Sequence, residues 1–247
     1  MNPGADPSRH DAAAAPAPTG AAAASARHRR GPSWLLMLAV ALLVMALVRG
    51  FLVQSFYVPS GSMEPTILPG DRILVNKLVD GDSLQRGDVV VFDGTTTFAA
   101  AERTPHEDKG IIGRVLSGAA SLLGVQLGEE DFVKRVIGLP GDHVVCCAPD
   151  GRLEVNGTAV SEPYIHPGDK PSELTFDVTV PTGRLWVMGD HRGDSADSRS
   201  HLGDPGGGTV SVDDVVGRTA ATYWPLNRIG GFTTPRTLAD LPRVATR

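Results

Sequence analysis

The apolar positions divide the chain into three stretches. Residues 1–33 are dominated by Ala, Pro, Gly, Ser and Arg, with hardly any large apolar side chain. Such a stretch buries too little surface to offset its ordering entropy, so it reads as a disordered tail. It ends in a basic cluster, Arg27, His28, Arg29 and Arg30. The pattern then inverts. Trp34 to Val48 is an unbroken apolar run of fifteen residues, which Arg49-Gly50 interrupts and Phe51-Leu52-Val53 resumes. As a helix, residues 34–53 reach ~30 Å, the thickness of a bilayer's hydrocarbon core. The run is apolar all round, which argues against a core helix with one buried face. It is long, and bulky residues rather than a small-x-small site follow it, which argues against a cleaved secretory signal. Trp34 suits one interface, and Arg49 can snorkel toward the other. The arginines before the run place the N-terminus in the cytoplasm and the remaining chain outside it.

Beyond residue 53 the pattern is one of short strands broken by turns. Apolar or β-branched runs at 71–79, 88–92, 132–139, 143–147, 153–155, 175–180, 185–188 and 215–223 are each followed within two residues by Gly, Pro, Asp or Asn. Asp150-Gly151 marks a hairpin, and Pro181-Thr182-Gly183 marks a turn. The expected fold is a mostly β, antiparallel sheet domain over 54–230 behind one transmembrane helix over 34–53. Residues 231–247 are expected to form a polar C-terminal tail. Residues 94–131 read as an insertion. Its Gly-rich apolar part, Gly110–Gly128, fits either a surface helix near the bilayer or a packed loop.

Composition narrows the function classes. With 41% hydrophobic residues and only 5% aromatics, the core must be aliphatic. A net charge of -5 and the lack of a basic stripe exclude a nucleic-acid partner. Cys146 and Cys147 are adjacent, fit poorly into ordinary disulfide geometry, and read as two small residues in a strand or turn. The seven histidines include no His-Glu-x-x-His, so no metal and no cofactor is expected.

Three segments carry chemistry. Pro59-Ser60-Gly61-Ser62-Met63-Glu64-Pro65-Thr66 follows the apolar run and sets two serines two apart. Alone it is ordinary turn chemistry, because a serine hydroxyl needs a positioned base to act as a nucleophile. Lys134 is one of only four lysines and lies among Phe132, Val133, Val136 and Ile137. Dehydration there disfavours its ammonium form, the condition for a lysine general base. The segment from Gly189 to Arg199 packs acids, hydroxyls and arginines into a turn that fits no EF-hand spacing.

Taken in order, PSGSMEPT, GDRILVNK, RGDVVVF, KRVIGLPGD and GDHRGDSADSR resemble the successive boxes of type I signal peptidases. The resemblance runs from about residue 34 to 225. It implies a membrane-bound serine endopeptidase with a Ser–Lys dyad, Ser62 as nucleophile and Lys134 as base. It implies that Ser60 and the Ser62 amide form an oxyanion hole. Ser195 would orient the lysine, while Asp197 and Arg199 would hold its loop. Phe56, Val58, Ile67 and Val133 match apolar positions near small substrate side chains. The implied partners are signal peptides of exported preproteins, cut after Ala-x-Ala, and the lipid bilayer. A monomer in the plasma membrane, with its catalytic domain outside the cytoplasm, is expected. The sequence departs from the commonest pattern at His191, Gly193-Asp194 and His201. Three rival readings compete with this one: a self-cleaving repressor, a non-catalytic tethered module and a Ser-His-Asp hydrolase. The first lacks its DNA-binding region here, and the last lacks a Gly-x-Ser-x-Gly elbow.

Overall fold

The computed structural model describes residues 33–79, 81–98 and 131–242. The expected tail over 1–33 (save Ser33), the insertion from 99 to 130, and residues 243–247 lie outside them. Two units are distinguished, Met1–Ala41 and Leu42–Arg247. A single long helix, α1 (Ser33–Phe51), runs through the apolar stretch, and every side chain from Trp34 to Met45 is exposed. Among the described residues no helix is long and apolar enough to cross a membrane. The expected segment 34–53 also ends differently. The helix stops at Phe51, and Val53 opens strand β1 (Val53–Tyr57), where it pairs with Asn76. An apolar residue serves helix and strand equally well, so hydropathy could not place that boundary.

The second unit is built on antiparallel strands: β2 (Arg72–Asn76), β3 (Val89–Asp93), β4 (Asp131–Gly138), β5 (His143–Cys146), β6 (Leu153–Val155), β7 (Thr158–Ala159), β8 (Phe176–Thr179), β9 (Arg184–Met188), β10 (Val210–Ser211), β11 (Val215–Trp224) and β12 (Gly230–Gly231). The larger sheet runs β1-β2-β11-β3-β4-β9-β10, with β12 on β11, and the smaller runs β7-β6-β5-β8. The Asp150-Gly151 signal does close a hairpin, since β5 pairs with β6 through Cys146 and Leu153. Pro181-Thr182-Gly183 forms the expected turn, with the Arg184 amide bonded to the Pro181 carbonyl at 3.2 Å. It passes the chain from the smaller sheet, where β8 pairs with β5, to the larger, where β9 pairs with β4.

β3 shows why the centre of the larger sheet is aliphatic. Lying between β11 and β4, it is buried on both faces: Val89 and Val91 enter one apolar cluster, Val90 and Phe92 another. A strand covered on both sides has no polar positions to alternate, hence the run Val-Val-Val-Phe. β4 inherits the same two faces. Its register sets Lys134 opposite Val90 and Arg135 opposite Val89, so two successive cations point to opposite sides of a buried strand. Near the end of β4, Ile137 joins a third cluster with Val144, Leu153, Trp186 and Met188, which holds the smaller sheet against the larger.

Two further expectations need correction. The segment after residue 230 is not a free tail as far as 242. A short helix α2 (Arg236–Ala239) buries Leu238 in the third cluster, and Arg86 Nη1 donates to the Leu241 carbonyl at 2.9 Å. Two leucines in a polar segment gave too little periodicity to read. Cys146 and Cys147, read as two small residues, are bonded to each other as a disulfide.

Candidate active site

The segment after β1 begins with Val58, whose amide donates to the Asp71 carbonyl at 2.9 Å. From there Ser60 to Thr66 form a tight turn, with the Glu64 amide bonded to the Gly61 carbonyl at 2.9 Å and the Ile67 amide to the Met63 carbonyl at 3.0 Å. Met63 and Ile67 anchor this turn in the apolar cluster, and Ser62, just before Met63, is almost fully covered. β4 delivers Lys134 to it. Lys134 Nζ donates to Ser62 Oγ at 2.8 Å, across a sequence separation of 72 residues. Lys134 is 4% exposed. No carboxylate forms an ion pair with its Nζ among the described residues. Burial is the largest influence on its ammonium and lowers the pKa. Asp197 and Asp190 pull it back up and Arg199 pushes it down again, leaving it at about 8.

Ser60 lies on the open side of this pair, exposed, with its Oγ 3.4 Å from Ser62 Oγ. Phe56, Val58, Ile67 and Val133 share one buried cluster with Met63. All four lie within 6% of complete burial, so they form a closed wall rather than an open slot.

The 189–199 segment leaves β9 and packs directly on the Ser62 backbone. The His191 amide donates to the Ser62 carbonyl at 3.1 Å. Gly189 permits the approach, since a Cβ there would lie 2.5 Å from the Ser62 carbonyl oxygen and closer still to Ser195 Oγ. Asp197 Oδ2 accepts the Gly189 amide at 2.9 Å, and Arg199 Nη2 donates to the same oxygen at 2.7 Å. Burial pushes the Asp197 carboxyl up, but the hydrogen bonds and charge of Arg199 outweigh it and hold it below the usual range. Ser195 stands apart from the expected arrangement. Its Oγ is buried against Gly189 and makes no hydrogen bond among the described residues, to Lys134 or to anything else.

Sequence reasoning missed the strongest electrostatic element. Arg135, next to Lys134 but facing the other way, donates from Nε to Asp190 Oδ1 at 2.8 Å and from Nη2 to Asp190 Oδ2 at 2.5 Å. Its Nη1 reaches the Gly87 carbonyl at 2.7 Å, and Thr66 Oγ1 donates to Asp190 Oδ2 at 2.5 Å. This bidentate pair ties β4 to both ends of the site: the serine turn through Thr66 and the 189–199 segment through Asp190.

Comparison with known proteins places this arrangement. The family model described as signal peptidase, peptidase S26, matches residues 32–224. A probable signal peptidase I of Mycobacterium leprae is 39% identical over 209 residues, 73% of this chain and 72% of the relative. The chain belongs to the peptidase S26 family of signal peptidases. A signal peptidase I of Mycobacterium tuberculosis is 38% identical over 79% of this chain and 72% of its own length. Signal peptidase I T of Bacillus subtilis is 32% identical, covering 79% of this chain and 86% of the relative. The family match thus contains the serine turn, β4 and the 189–199 segment together. Its members are serine endopeptidases, which calls for one activated hydroxyl. Ser62 is the serine that receives the Lys134 amine.

Proposed function

We propose that the chain is a type I signal peptidase that works through a Ser62–Lys134 dyad. The observation that carries this is the 2.8 Å contact between a buried lysine amine and a serine hydroxyl. At a pKa of about 8, ~10% of the amine is neutral at pH 7, against ~0.03% for an unshifted lysine. Burial thus raises the supply of base several-hundredfold.

The chemistry follows from this pair. Neutral Lys134 takes the proton of Ser62 as Oγ attacks the scissile carbonyl carbon. The oxyanion forms on the open side, where it accepts from the Ser60 hydroxyl and the Ser62 amide. Collapse breaks the C–N bond, the leaving amine takes the proton from Lys134, and an ester remains on Ser62. Lys134 then deprotonates a water that attacks the ester, releasing the acid and restoring the serine. Phe56, Val58, Ile67 and Val133 back the acyl side of the site. A closed apolar wall there admits small residues, in keeping with cleavage after Ala-x-Ala. Asp197 and Arg199 hold the segment whose His191 amide donates to the Ser62 carbonyl.

The substrates in this reading are signal peptides of exported preproteins. The apolar stretch 34–51 anchors the enzyme in the plasma membrane with the N-terminal arginines in the cytoplasm. Residues after it then act outside the cytoplasm, next to the membrane where a signal peptide ends.

The test is cleavage of a preprotein with an Ala-x-Ala site by detergent-solubilised enzyme. Wild type should cut after the last Ala, and Ser62→Ala and Lys134→Ala should lose at least about 1000-fold in rate while keeping the wild-type circular dichroism. Normal cleavage by both folded variants would discard the dyad.

A further inference from the structure

Outside the dyad, one cluster of ligating side chains is assembled by the fold. His166, Asp169 and His191 each offer an atom to a group whose members all lie within 4.8 Å of one another. The two imidazoles stack at 4.1 Å. We propose that these three residues form a binding site for a divalent transition-metal ion of the zinc class, built onto the segment that holds the Ser62 carbonyl.

The spacing is that of ligands around a point, not of ion pairs. His166 Nδ1 and His191 Nε2 each stand 4.0 Å from the Asp169 carboxylate, one at each oxygen. Elsewhere in the same chain a histidine beside an aspartate closes on it directly, at 2.7 Å for His201–Asp204 and 2.5 Å for His143–Asp177. At His166 and His191 the gap stays open. Zinc–nitrogen and zinc–oxygen bonds of ~2.0–2.1 Å in a tetrahedron put ligand atoms ~3.3 Å apart, so the three need to draw in by less than ~1 Å each. Two neutral imidazoles and one carboxylate suit zinc by ligand type, and leave a fourth position to water. The three side chains are partly exposed, which gives an ion access from solvent.

One further observation points to a built site: the backbone holds the ligands in place. Asp169 Oδ2 accepts the Gly193 amide at 3.1 Å, and a Cβ at Gly193 would sit 3.2 Å from Asp169 Oδ1. The His166 amide donates to the Asp190 carbonyl at 2.9 Å. Buried Arg192 clamps the two segments, donating to the Pro171 carbonyl at 2.8 Å and to Glu162. An ion held here would fix His191, whose own amide holds the Ser62 carbonyl.

The experiment is a zinc titration of the full-length, untagged, EDTA-stripped enzyme in detergent against a chromophoric chelator. Wild type is expected to take up one zinc with a Kd of about 10 µM or tighter. His166→Gln and Asp169→Asn should each weaken it at least about tenfold, and His143→Gln should leave it unchanged. Amide exchange over 189–194 should slow when zinc binds. Because Asp169 also holds Gly193, the His166 variant is the cleaner arm. Absence of saturable uptake, or uptake unaffected by His166→Gln, overturns the proposal. Cobalt(II) substitution gives a second arm: a visible d–d band in wild type that disappears in His166→Gln is expected, and an unchanged band overturns it. None of these readouts depends on peptide cleavage, so the result is separable from the dyad.

Discussion

Lys134 and Arg135 are neighbours on β4, buried to within 4% and 2% exposure, and they are treated in opposite ways. Arg135 is met by a carboxylate in a two-point contact, with a backbone carbonyl satisfying a third nitrogen. Lys134 is met by a hydroxyl. A buried charge with good partners stays charged and makes structure; one without them drifts toward neutrality and becomes available as a base. The same pairing recurs in the scaffold, where Arg86 binds Asp142 and Arg192 binds Glu162 through 2.5 Å contacts with both partners covered. The dyad is the place where the fold withholds a counter-ion.

The comparison breaks most sharply at Arg135. Arg135→Met leaves the fully buried Asp190 with only the Thr66 hydroxyl among its present side-chain partners. An uncompensated buried carboxylate costs about 3–5 kcal/mol. Denaturant unfolding should show that loss as a lower midpoint at unchanged slope. A variant as stable as wild type would mean that Arg135 does not hold the site together.

Lys134→Met should move stability the other way. The lysine titrates at about 8 folded and at 10.5 unfolded, so at pH 7 the fold carries an ammonium it disfavours. The unfolded chain binds the extra proton between those values. Wild-type stability therefore climbs from about pH 8 to about 10.5, and the full penalty is present below pH 8. That penalty is roughly 3 kcal/mol, part of it offset by the bond to Ser62 Oγ. Lys134→Met is expected to gain about 1–3 kcal/mol at pH 7, to lose that advantage above about pH 10.5, and to cut no preprotein. A variant destabilised at pH 7 would show the lysine to be a structural cation like Arg135.

The pH profile sharpens the same contrast at smaller scale. Between pH 7 and 9 the neutral fraction of a group at about 8 rises roughly tenfold, and kcat/KM should follow it before levelling off. The rising limb belongs to the dyad. A rate still climbing at pH 10 would place the lysine near its ordinary value and remove burial as the source of the base.

Much of this was legible before any coordinates. Strands β2 to β6, β8, β9 and β11 fall within a few residues of the runs that forecast them, because β-branched stretches bounded by Gly, Pro and Asp admit few alternatives. β1 was hidden by an apolar residue shared between helix and strand, and β7, β10 and β12 are too short to leave a period. Ser62 and Lys134 stood out through the order of the boxes and the scarcity of lysine. The Arg135–Asp190 pair did not, since one of nineteen arginines gives no sign of which acid, 55 residues away, it will meet. Of the three ligating residues, His191 stood out only as a departure from the family pattern, and His166 and Asp169 gave no sign. His-x-x-Asp is common, and only loop packing brings a second histidine from the far side of β8 and β9.

The smallest effect is expected where the pairing faces water. Arg218 Nη1 lies 3.4 Å from Asp88 Oδ2, with the arginine 40% exposed. Asp88 does not rely on it, because its carboxylate also accepts the Gln85 amide at 3.0 Å and the Thr234 hydroxyl at 3.2 Å. A half-solvated ion pair is worth about 0–1 kcal/mol, and salt screens it further. Arg218→Ala should therefore shift the unfolding midpoint by less than that, and the difference should shrink as ionic strength rises. If it instead cost as much as Arg135→Met, burial would not be what separates the scaffold pairs from the surface ones. The contrast drawn between Lys134 and Arg135 would then lose its physical basis.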